Sequence, residues 1–68
     1  MTAQDYLDAI ERHYLGDAGF VSALVLSPDL GVYVGVARVL GGEVLHRTGE
    51  HATPDAAARA LARAAGVL

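Results

Sequence analysis

The chain has 68 residues and a mass of 7.0 kDa, is 53% hydrophobic, and carries a net charge of -3 with no cysteine and no tryptophan. That length allows one domain with a radius of gyration near ~11 Å, which excludes a two-domain enzyme built around an interdomain cleft. The apolar fraction excludes a disordered chain, the apolar runs are too short to span a bilayer, and without cysteine there is neither a disulfide frame nor a thiolate metal site.

The first segment, over residues 2–15, places Ala3, Tyr6, Leu7, Ile10 and Tyr14 at three- and four-residue steps, with Gln4, Asp5, Asp8, Glu11 and Arg12 opposite. This predicts an amphipathic helix, capped by Thr2 with Asp5 as the capping-box acid and stopped by Gly16. Residues 1–17 hold four acids and one arginine, so the entire net charge belongs to this segment and residues 18–68 balance. The segment lacks a basic n-region and a continuous apolar stretch, so the expected compartment is the cytoplasm.

A Val- and Leu-rich strand is expected over 19–27, a Ser27-Pro28-Asp29-Leu30-Gly31 turn after it, and a β-branched strand over 31–40. Gly41-Gly42 suits a two-residue hairpin turn with positive φ at both positions, and a third strand follows over 43–48. A second helix over 54–65 opens with Thr53 as N-cap, Pro54 at its first position and Asp55 in its first turn, and Gly66 closes it. Its buried stripe is expected to be Ala57, Ala60, Leu61, Ala64 and Leu68, with Arg59 and Arg63 outward. The expected fold class is therefore α+β: a single domain over 1–68 in the order α-β-β-β-α, a three-stranded antiparallel meander with two helices packed on one face.

Both faces of the second strand are apolar: Val32, Val34, Val36, Arg38 and Leu40 alternate with Tyr33, Gly35, Ala37 and Val39. Two helices cover one face, which leaves aliphatic surface on the other and predicts self-association, a homodimer first, or a protein partner. One candidate interface row is Tyr33, Ala37 and Val39.

No constellation of catalytic residues stands out, and the expectation is a non-enzymatic protein without cofactor, metal or small-molecule substrate. His46, Glu50 and His51 lack the spacing and the fourth ligand of a structural zinc site. Ser27 and Thr53 precede prolines in turn and cap positions, and Asp5 with Asp8 reads as a solvated helix face. The chain is acidic overall and its aromatics do not interleave with its arginines, which argues against nucleic acid. All five basic residues are arginine, with no lysine and no asparagine, a bias that points to a GC-rich bacterial or phage genome.

The element order and the alanine-rich helix AAARALARAAG resemble the double-stranded RNA-binding domain. That resemblance implies duplex RNA as an alternative partner, gripped here by Arg47, Arg59 and Arg63. Thr53, Pro54, Asp55 and Ala56 stand where that family carries lysines. A second resemblance covers residues 20–65: GVYVGVA in the middle strand and Gly49-x-x-Ala52-Thr53-Pro54 before the helix look like HicB-type antitoxin domains and small phage proteins of similar layout. It implies a non-catalytic domain that acts through protein contacts and oligomerises.

Overall fold

The computed structural model describes residues 1–14 and 21–68. Five elements run in the order α1 (Ala3–His13), β1 (Val21–Asp29), β2 (Val32–Val39), β3 (Val44–Arg47) and α2 (Pro54–Ala64). The strands form one antiparallel sheet in the order β1-β2-β3, so the α+β meander expected from the sequence is the architecture observed. The stop expected at Gly16 and strand positions 19 and 20 lie outside the described residues. The radius of gyration is 11.0 Å. Among the described residues no helix is long and apolar enough to cross a membrane.

Both helices begin as their sequences dictate. At α1 the Asp5 N–H donates to Thr2 Oγ1 at 3.4 Å while the Thr2 N–H donates to the Asp5 carboxylate at 2.9 Å, a complete capping box. At α2 the Thr53 hydroxyl accepts the Ala56 N–H at 3.1 Å, and Pro54 sits at the first turn, where its missing N–H has no helical partner to lose. Gly66, at φ +80°, ends α2: Val67 N–H donates to Ala62 C=O at 2.9 Å and Gly66 N–H to Arg63 C=O at 3.2 Å, which is the Schellman pattern.

The two hairpins differ from expectation in their turns. β1 continues through Pro28 to Asp29, which pairs with Val32, and the loop is only Leu30-Gly31 with Gly31 at φ +74°. A register irregularity between Leu26 and Asp29 absorbs one extra residue there. Proline is tolerated because β1 is an edge strand and the ladder is already interrupted. In the second turn only Gly41 has positive φ, and the Gly42 N–H closes the turn on Val39 C=O at 2.8 Å.

The helices lie together on one face of the sheet. Their shared core is Leu7 and Ile10 of α1, Val21 and Ala23 of β1, Ala37 of β2, and Ala58, Leu61, Ala62 and Ala65 of α2 and its cap. The buried stripe of α2 is therefore turned from the one expected: Ala64 and Leu68 are exposed, and Ala58, Ala62 and Ala65 are buried in their place. The reason is that α2 packs on α1 as well as on the sheet. Arg59 and Arg63 mark the outer side of the helix, but alanine on both flanks of Leu61 leaves open which flank meets a neighbour.

Candidate interaction surface

Directly paired residues of neighbouring strands share a face, so the register settles which row is covered. Val25 pairs with Gly35, Ala23 with Ala37, and Ala37 with His46. Gly35 lies directly under α2 and Ala37 is fully buried in the helix-side core. Tyr33, Ala37 and Val39, one candidate interface row among two parities, thus lie on the helix-covered parity and not on the open face. The small side chains of Gly35 and Ala37 are what admit a helix there.

The open face is the other parity. In successive rows it holds Asp29 with Val32, Leu26 with Val34, Leu24 with Val36 and Arg47, and Ser22 with Arg38 and Val44. Val34 and Val36 stand outside the helix-side core cluster, yet as middle-strand residues flanked by leucines they are only 3% and 7% exposed. Leu26 and Val44 are about half exposed, Leu24 and Val32 less so. Arg38 and Arg47 are exposed on the same face. The result is an aliphatic surface with arginines along one end and side, covered by neither α1 nor α2.

Sequence reasoning passed over this row although a signal was present. A charged residue, Arg38, sits in the Val32-Val34-Val36 row, whereas the alternate row carries Gly35 and Ala37; charge marks the solvent side and small residues mark close approach.

Several of the other polar groups are engaged in the fold. The Tyr14 hydroxyl and His46 Nε2 are 2.7 Å apart, tying the end of α1 to β3. His51 exchanges two backbone hydrogen bonds with Tyr33, both 2.8 Å, which extends β2 pairing beyond β3. Among the described residues no three histidine, aspartate, glutamate or cysteine side chains gather as metal ligands. Asp8 accepts from the Gln4 amide at 2.8 Å, and Asp5 is held below the usual carboxylate range by the Thr2 hydrogen bonds. Asp8, Glu11 and Arg12 border a shallow surface hollow.

The three arginines of the RNA-binding alternative do not converge. Arg47 pairs opposite Val36 on the open sheet face, while Arg59 and Arg63 are exposed on α2, which covers the other face. Comparison with protein families, with curated proteins and with solved structures gave no match.

Proposed function

We propose that this protein is a non-catalytic interaction module that associates with itself through the open face of its sheet. The observation that carries this reading is the aliphatic row Leu24, Leu26, Val32 and Val44 over Val34 and Val36, on the face that neither helix covers. Apolar surface gathered in one place favours association at roughly 25 cal/mol per Å² removed from water. A small domain also gains from a partner, because its own core contributes little net stability. Such a module needs no acid, base, nucleophile or metal, and it fits the likeness to HicB-type and small phage accessory domains, which act through protein contacts.

Molar mass by light scattering across a wide concentration range tests the reading. The wild-type chain is expected at twice 7.0 kDa, and Leu24→Glu at the monomer mass with an unchanged circular dichroism spectrum. A wild-type monomer at every concentration sinks it.

A divergent duplex-RNA domain is the second reading, favoured by the α-β-β-β-α order and by the exposure of Arg59 and Arg63. It requires salt-sensitive RNA binding that falls when both are replaced by alanine.

A further inference from the structure

We infer that the occupant of the open face is a second copy of this chain whose strands run in the reversed direction, so that Arg38 and Arg47 of each copy meet Asp29 and Glu50 of the other. This rests on the reading of the open face as a self-association surface and adds its register and its charge pairing.

The rows of the open face follow one another in a fixed order along the strands. Gly35 pairs with Val25, at the midpoint between the Leu26–Val34 row and the Leu24–Val36 row. Moving from that midpoint toward the end of β2, the open face carries Arg47 beside Val36 and then Arg38 beside Val44. Moving the other way, it carries Asp29 beside Val32 at the far end. Thr48 bonds Gly35 and His51 bonds Tyr33, which leaves Gly49 and Glu50 opposite Val34; His51 pairs with Tyr33 of the helix-covered parity, so strand alternation assigns its neighbour Glu50 to the open side. All four charged residues are exposed. The face is therefore polar end to end, cationic in its Arg38 half and anionic in its Asp29 half, with aliphatic side chains between.

A face-to-face homodimer has its twofold axis between the sheets, and the two in-plane directions give opposite electrostatics. With the axis along the strands and over β2, each row meets itself, and Arg38 faces the partner's Arg38. With the axis across the strands at the level of Gly35, each row meets its mirror row. Leu24 then lies over the partner's Leu26, Val36 over the partner's Val34, Arg47 over the partner's Glu50, and Arg38 over the partner's Val32 beside the partner's Asp29. The aliphatic centre is self-complementary, Arg47 faces Glu50 directly, and Arg38 neighbours Asp29 diagonally. Like charges brought face to face suppress the first arrangement, and complementary ones select the second.

The size of the face is adequate. Three strands spaced ~4.8 Å, with eight residues in β2 rising ~3.3 Å each, make a face on the order of 14 by 26 Å. Two such faces with their projecting side chains bury on the order of 1,000 Å² in total, the lower bound for a specific interface.

Sedimentation equilibrium on charge-reversed chains tests the register. Arg38→Glu alone sets two acids against each other in each dimer, and Asp29→Arg alone sets two arginines together, so each is expected to weaken self-association at least about tenfold. An equimolar mixture of the two variants forms a heterodimer in which both pairs are again opposite, and its affinity is expected within about threefold of wild type. Because Asp29 also accepts the Leu30 N–H at 2.8 Å, the mixing experiment is repeated with Arg47→Glu and Glu50→Arg, which leave that turn intact. Folded single variants that associate like wild type, or mixtures that stay as weak as the singles, overturn this register; if Leu24→Glu still disperses the dimer, the open-face reading stands without it. A wild-type chain that remains a monomer overturns both.

Discussion

Gly35 in β2 and the Ala57 carbonyl in α2 approach so closely that a β-carbon on Gly35 would stand 2.8 Å from that oxygen and 3.0 Å from Leu61 Cβ. The obstacle is backbone on one side and a fully buried leucine on the other, and the Gly35 backbone is itself held by Thr48, whose N–H donates to its carbonyl and whose hydroxyl accepts its N–H, both at 2.9 Å. Neither partner yields cheaply. The absence of one side chain is what lets the alanine-rich helix settle on the sheet.

Gly35→Ala is therefore expected to destabilise the fold by about 1–3 kcal/mol, the usual cost of overpacking a closed site. Gly49→Ala is the control, since nothing lies within 4 Å of a β-carbon there and its φ is not left-handed. Urea titrations of both variants check the difference: equal midpoints would mean that α2 rides higher than this contact.

A second prediction concerns the two helix starts. The Asp55 carboxylate, in the first turn of α2, accepts the Ala3 N–H at the first turn of α1 at 2.7 Å across 52 residues of chain. One negative group thus faces the positive ends of both helices. Asp55→Ala is expected to cost about 1 kcal/mol. Ala3→Pro deletes the same hydrogen bond from the other side without breaking α1, because proline suits the first helical position and Thr2, at φ -89° and ψ 169°, already has the extended backbone that precedes proline. Once either partner is gone, replacing the other should add little beyond its own local effect, and a double-mutant cycle by thermal melts measures that coupling.

The sequence disclosed the helix starts, the strands and their order because each is written in local chemistry: Thr2 with Asp5, Thr53 with Pro54, β-branched runs, and glycines at turns. It was silent about Asp55 and Ala3, whose contact spans 52 residues of chain and arises only through tertiary packing. It misled about α2, where alanine on nearly every side erased the distinction between Ala60 or Ala64 and Ala58 or Ala62. The sheet face was readable in principle, since Arg38 marks one parity as solvent-facing and Gly35 with Ala37 marks the other as helix-facing, but alternation of apolar residues on both faces hid the choice.

The third prediction is an acid transition with a defined origin. Hydrogen bonds from Thr2, the backbone N–H first, hold Asp5 below the ordinary carboxylate value of 3.8. A carboxyl depressed in the folded state contributes stability in full above its unfolded pKa and loses it as pH falls through the lower folded value. Stability of the wild-type chain should thus decline below pH 3.8, and Asp5→Asn should remove that component while leaving the decline from other carboxylates. Denaturant midpoints measured down the acid range for both chains decide it; parallel curves would exclude the capping box as a contributor.

The fourth prediction addresses the free edge of the sheet. β1 is an outer strand, and its Ala23 N–H, unpaired by β2, donates to the Glu11 carboxylate of α1 at 3.0 Å. An outer strand with open donors is a template for another strand, and proteins commonly guard such edges with charge. Glu11 does so while tying α1 to β1. Glu11→Gln keeps a side-chain oxygen that accepts the same N–H, so its stability should change little. Glu11→Ala leaves the donor without its side-chain partner and is expected to lose about 1 kcal/mol. Both variants strip the charge from the edge, so both should form strand-paired aggregates on prolonged warming faster than wild type, and the alanine variant, which also frees the Ala23 N–H, faster than the glutamine variant. Chemical denaturation and the time course of scattering, followed on the three chains at one concentration, separate these effects. Equal behaviour of the alanine and glutamine variants would show that charge alone guards the edge, and that the bond to Ala23 adds nothing.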